Sequence, residues 1–85
     1  MKAISKEILK KYHCFETIEM AKEFFGDTTD TEITFYETFL KQTDYLAMKL
    51  AEGLITRDDK KAEFDARDFA RQEINRLQSE QKVIN

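Results

Sequence analysis

The stretch Thr29 to Gly53, TDTEITFYETFLKQTDYLAMKLAEG, decides how this chain folds. Through it and just beyond, Ile33, Tyr36, Leu40, Thr43, Ala47, Leu50 and Leu54 recur at steps of three and four. That is the spacing of one face of an α-helix. Phe35, Phe39 and Leu46 lie beside the row, with Met48 and Ala51 on its other flank. The apolar arc covers roughly half the helix, wider than the usual amphipathic stripe. One neighbour cannot cover such an arc, so a central helix touched from two sides is expected. Thr34, Glu37, Thr38, Lys41, Lys49 and Glu52 share the remaining face.

Upstream, Ser5 can cap a first short helix through about Tyr12, with Ile4, Ile8, Leu9 and Tyr12 turned inward. His13 to Glu16 reads as a break, and Thr17 can cap a second short helix. There Ile18, Ala21, Phe24 and Phe25 are apolar, and Gly26 can end it in the left-handed conformation. One continuous helix through His13 and Cys14 is the alternative. Helices this short do not hold themselves together in water and must lean on the long one. Asp27 to Asp30 forms a polar connection, and Thr29-Asp30-Thr31-Glu32 matches the capping box. Thr43-Asp44 is a second cap-like pair that could interrupt the long helix, although the unbroken register favours continuity.

Downstream, Gly53 stops the helix and Leu54-Ile55 make an apolar link. Thr56-Arg57-Asp58-Asp59 opens the last helix, with Thr56 as cap and carboxylates at the positive end of the dipole. Its expected inner stripe is Ala62, Ala66, Phe69, Ala70, Ile74 and Leu77, with Ile84 in line. Asp65, Arg67, Asp68, Arg71, Glu73, Arg76 and Glu80 are expected outside. The short link requires an antiparallel pair. The predicted fold is all-α: a long antiparallel helical hairpin, about Asp30–Gly53 and Arg57–Gln81, with one or two short N-terminal helices packed across it.

Eighty-five residues without proline and with only two glycines suit a few helices in one domain spanning 1–85. Residues 1–28 would carry the short helices and 29–82 the hairpin. A net charge of −3 argues against nucleic acid as a partner, which needs a basic surface. The lone Cys14 excludes an intramolecular disulfide and fits a reducing compartment. No apolar run is long enough for a signal peptide or a membrane span. The expected location is the cytoplasm of a host cell, with association with a virion as the second possibility.

Few residue groups suggest chemistry. His13 and Cys14 are adjacent and unique, but neighbours on a helix point about 100° apart, and they supply only half of a usual zinc site. A buried thiol beside a half-exposed imidazole is the plainer reading. Asp27, Asp30 and Glu32 fail the calcium-loop spacing, since Glu32 stands where glycine is needed and Thr38 where glutamate is. Asp58, Asp59, Asp65 and Asp68, beside Lys60, Lys61 and Arg67, read as a solvated face. A helix-turn-helix over Ile4 to Phe25 would read DNA with a helix carrying Glu16, Glu19 and Glu23 against Lys22 alone, the wrong balance. No catalytic, cofactor or metal residue is assigned, and no enzyme activity is expected.

The aromatic residues offer more. Most belong to the core, but Phe64 projects away from the Ala66–Phe69–Leu77 stripe, where it could equally cover the N-terminal helices or sit in an interface. If the short helices leave Phe39 and Leu46 bare, a second copy related by a two-fold axis is the simplest cover. The candidate interface is therefore Phe35, Phe39, Leu46 and Phe64, with a weak homodimer as one outcome. In the alternative, Phe24 and Phe25 fold back over this flank and leave a monomer.

The second half of the chain, with Thr43-Asp44-Tyr45, Lys49, Ala51-Glu52-Gly53, Arg71, Glu73-Ile74-Asn75 and Leu77, resembles small helical proteins of bacteriophages and prophages of Gram-positive bacteria. Those proteins are often encoded near tail genes. This chain departs from them at Asp58-Asp59-Lys60-Lys61, where an aromatic residue is usual. The resemblance implies a phage or prophage origin and an assembly or accessory role, and it carries over no active-site residue. The expected function is a non-enzymatic protein-interaction module with an unidentified protein partner. The alternative is a small inhibitor of a host defence or regulatory protein.

Overall fold

A computed structural model describes residues 4–84, and the side chains through 81. The helices are α1 (Lys6–Lys11), α2 (Ile18–Phe25), α3 (Thr29–Gln42), α4 (Asp44–Ala51) and α5 (Lys61–Ile84). No strand occurs among the described residues. The fold is all-α, as expected, with α5 antiparallel to a bent α3–α4 helix and the short helices packed against it. The antiparallel run is fixed at two heights. Gln81 Nε2 donates to Asp30 Oδ1 at 2.7 Å near one end, and Arg67 reaches Thr43 further along.

The side-chain caps explain the helix starts. Ser5 Oγ accepts from the Ile8 amide at 3.3 Å, and Thr17 Oγ1 from the Met20 amide at 3.2 Å. At α3 the cap is Thr28, one residue before the expected Thr29, and it accepts from the Thr31 amide at 3.1 Å. The expected capping box does not form, because Glu32 is drawn to Lys22 at 2.7 Å instead of back to the chain start. A reciprocal box forms at Thr56 and Asp59: each side chain accepts from the other's amide, at 3.2 and 2.9 Å. The turn after it is tight, with i→i+3 bonds, so α5 proper begins at Lys61, later than the expected Arg57.

The helix ends use one device twice. After α1, the His13 amide bonds the Lys10 carbonyl and the Cys14 amide the Leu9 carbonyl. After α4, the Gly53 amide bonds Leu50 and the Leu54 amide bonds Lys49 in the same pattern. Both are Schellman motifs, which need a left-handed residue past the cap. Gly53 adopts φ 76° freely, whereas His13 adopts φ 61° against its Cβ. This fixes the break at His13 and removes the continuous-helix alternative. Gly26 also departs from expectation. Its φ 106° and ψ 151° lie in an extended region open to glycine, not in the left-handed helical one.

The long helix is interrupted at Thr43, contrary to the favoured continuity. Thr43 Oγ1 donates back to the Phe39 and Leu40 carbonyls, at 3.1 and 3.2 Å. Arg67 Nη1 then donates to the Leu40 carbonyl at 3.1 Å. A side chain inserted into the backbone ladder is a recognised cause of a helix bend. The apolar register runs through the bend unchanged, so periodicity alone did not show it.

Core and stripe also differ from expectation on α5. Ala66, Ala70 and Leu77 are buried as expected, but Ala62 is exposed and Phe64 is buried. Arg67, expected outside, is 3 % exposed. The stripe turns toward Phe64 because both charged residues beside it find partners. Glu63 pairs with Lys11 at 2.9 Å, and Arg67 with the bend. The side chain of Ile84 lies outside the described residues.

The candidate interface of Phe35, Phe39, Leu46 and Phe64 is corrected by the same packing. All four belong to one buried cluster with Leu9, Tyr12, Ala21, Ala66 and Ala70. Phe39 is 0 % and Leu46 1 % exposed. Tyr12 of the α1 end meets Phe39 edge to face, with ring centroids 6.1 Å apart. The flank is thus covered from within, by Leu9 and Tyr12 at the end of α1, Ala21 of α2 and the inner face of α5, while Phe24 and Phe25 stay exposed.

Candidate functional site: an exposed phenylalanine cluster beside an apolar cavity

The left-handed His13 turns the chain sharply out of α1, and Thr17 starts α2 only four residues later. Phe15 lies in this connection. At the far end of α2, Gly26 releases the chain toward α3. These two turns bring Phe15, Phe24 and Phe25 together, with centroids 5.8 Å apart from Phe15 to each of the others and 4.8 Å between Phe24 and Phe25. Aromatic pairs in such tilted and edge-on arrangements are mutually attractive. Even so, Phe24 remains 73 % and Phe25 61 % exposed, with Met20 on the same helix also exposed.

Behind Phe25 lies a cavity of about 360 Å³, between the α1–α2 connection and α3. His13, Cys14 and Phe15 line one side, and Thr31, Thr34, Phe35 and Thr38 the other. Phe25 continues the inward row of Ile18 and Ala21, but it meets a helix face of threonines too short to fill the space. The volume falls within the range of small binding sites, and the lining is mainly apolar with hydroxyls at its edge. A second hollow of about 300 Å³, bordered by Ile4, Leu9, Tyr36 and Phe69, opens past Lys6, Glu16 and Glu19.

Cys14 lines the first cavity as a protonated thiol. Burial pushes its pKa up, and Sγ donates to the Tyr12 carbonyl at 3.7 Å. A nucleophilic cysteine needs the opposite shift. The His13 ring is exposed, and no hydrogen bond joins it to Cys14 among the described residues. Asp30 bonds Gln81, and Glu32 bonds Lys22, so neither serves a common loop site with Asp27. No group of three or more His, Cys, Asp or Glu among the described residues is placed to hold a metal ion. No helix among them is long and apolar enough to cross a membrane.

Lys22, the one cation of α2, is held by Asp27 at 3.5 Å and Glu32 at 2.7 Å. Hydrogen bonds and charge from these carboxylates, those of Glu32 foremost, raise its pKa. Glu16, Glu19 and Glu23 are exposed and have no ion-pair partner among the described residues. The arrangement therefore presents aromatic surface, a partly open cavity and free carboxylates, and it carries no activated nucleophile. No family model, no curated protein and no solved structure matches the chain.

Proposed function

We propose that this chain is a non-enzymatic protein-interaction module that docks a partner through Phe24, Phe25 and the cavity behind them. One observation carries the reading: two phenylalanines meet edge to face and yet stay mostly exposed, at 73 % and 61 %. Burying a phenylalanine side chain contributes about 1.5–3 kcal/mol, so a pair left in water is a large unused driving force. Contiguous apolar patches of this kind mark interaction sites. The resemblance at Thr43-Asp44-Tyr45 and the α5 residues Arg71, Glu73, Ile74 and Leu77 supports an assembly or accessory factor of phage or prophage origin.

Site-specific photocrosslinking in the host cell tests the proposal. A benzophenone amino acid placed at Phe25 should yield a discrete protein adduct. The same group at Leu54, also exposed but remote in the chain, should not. No adduct at Phe25, or the same adduct from both positions, would contradict the reading.

A further inference from the structure

We infer that the occupant of this surface is a basic amphipathic segment of a partner protein, which seats a bulky apolar side chain against Phe25 and sets lysines or arginines against the carboxylates of α2. The inference rests on the docking reading above and adds the partner's chemistry. The chain's charge is concentrated at the aromatic cluster. Residues 15–27 hold four carboxylates, Glu16, Glu19, Glu23 and Asp27, against the single Lys22. That is a formal −3, the net charge of the whole chain, so the remainder is balanced.

Within α2 the charge has direction. At about 100° per residue, Glu19 and Glu23 form a row one turn apart, about 100° around the helix from the row of Met20 and Phe24, with Met20 and Glu23 meeting as i, i+3 neighbours about 60° apart. An acidic row thus runs beside an apolar row on one exposed surface. Lys22 does not neutralise it, since Asp27 and Glu32 already hold its ammonium group. A basic segment meets both rows at once, whereas a second copy would set carboxylates against carboxylates across a two-fold axis. An anionic lipid surface meets the same repulsion.

Three helical model peptides with one leucine pattern, and polar faces of lysine, glutamine or glutamate, test this against the full isotope-labelled chain by NMR. The lysine peptide should bind about tenfold or more tightly than the glutamine peptide at low ionic strength, with the gap closing as salt is added. Its shifts should map to the amides of Phe25, Thr34 and Thr38. The Phe24→Ser/Phe25→Ser double variant should lose binding of both peptides. Glu19→Gln/Glu23→Gln should abolish the gap and keep the glutamine peptide's affinity. Equal affinity for lysine and glutamine peptides, still at Phe25, would overturn the basic partner and leave the docking reading intact. Unchanged binding in the phenylalanine variant, shifts centred on Met48 and Leu54, or no binding at all would overturn both. Self-association of the chain through Phe25, or its binding to phosphatidylcholine vesicles, would replace the proposed occupant.

Discussion

Arg67 Nη1 donates to Thr43 Oγ1 at 2.5 Å, joining the middle of α5 to the bend between α3 and α4. The guanidinium is almost wholly enclosed and also bonds the Leu40 carbonyl and Asp44 Oδ1. Thr43→Val leaves the buried guanidinium short of one acceptor, whereas Arg67→Ala removes the charge itself and loses its hydrogen bonds and the packing of its stem. Arg67→Ala should therefore lower the unfolding free energy by about 1–3 kcal/mol, and Thr43→Val by about 1–2 kcal/mol. Urea unfolding of both single variants and the double should show a coupling of at least about 1 kcal/mol. Additive effects would mean that the bend and the arginine are independent.

His13 holds φ 61° in a position filled by Gly53 at the end of α4. His13→Gly should stabilise the chain by up to about 1 kcal/mol, because relief of the Cβ clash outweighs the added freedom of the unfolded chain. His13→Val should destabilise it, since a β-branched residue tolerates this backbone least. Thermal unfolding checks both signs. Destabilisation by glycine would show that the imidazole makes a contribution of its own.

Ser5, Thr17, Gly53 and the break at His13 were legible in the sequence because caps and terminators act through local backbone chemistry. Thr43-Asp44 offers a cap-like pair, but the unbroken register outweighs it until Arg67, whose acceptor lies 24 residues away, is seen to bond there. A charged residue on an α5 pattern reads as exposed unless its acceptor is known. Phe64 stands off the expected stripe, and of the two places open to it, against the N-terminal helices or in an interface, the packing with Leu9 and Tyr12 gives the first. Phe24 and Phe25, apolar residues of a short helix, could as well fold back over the long helix. The signal that points the other way is the threonine face of Thr31, Thr34 and Thr38, too small to pack against a phenylalanine.

The Tyr12 hydroxyl is buried without a hydrogen-bond partner among the described residues. Burial pushes its pKa well up, and the neighbouring Tyr45 phenol adds to the push. An unsatisfied buried hydroxyl costs stability, while the ring beneath it packs on Phe39. Tyr12→Phe should therefore be neutral or stabilising by about 1 kcal/mol, whereas Tyr12→Ala should cost about 3–5 kcal/mol. Denaturant midpoints separate the two. A clear loss in Tyr12→Phe would show that the hydroxyl is satisfied in solution.

Glu63 gives the fold an acid limit. Burial pushes its carboxyl up, but the hydrogen bond from Lys11, its backbone bond and the charges of Lys11 and Lys60 prevail and hold it below the ordinary 4.5. A carboxyl with a lower pKa in the folded state stabilises above its unfolded pKa, and that contribution is lost as pH falls through the folded value. Stability should thus begin to fall below about pH 4.5. An NMR titration should place the Glu63 midpoint under the ordinary value, and Lys11→Met should raise it. A midpoint indifferent to Lys11→Met would remove the ion pair as the cause.

The central claim is that Phe24 and Phe25 serve a partner and not the core, and the unfolding free energy of Phe24→Ser/Phe25→Ser tests it most directly. Their exposure predicts a value within about 1 kcal/mol of the parent chain, in the range of ordinary surface substitutions. Phe39→Ser, at 0 % exposure, supplies the contrast and should lose about 3–5 kcal/mol or fail to fold. A loss of that size from the Phe24 and Phe25 pair would place both rings in the core and contradict the docking surface.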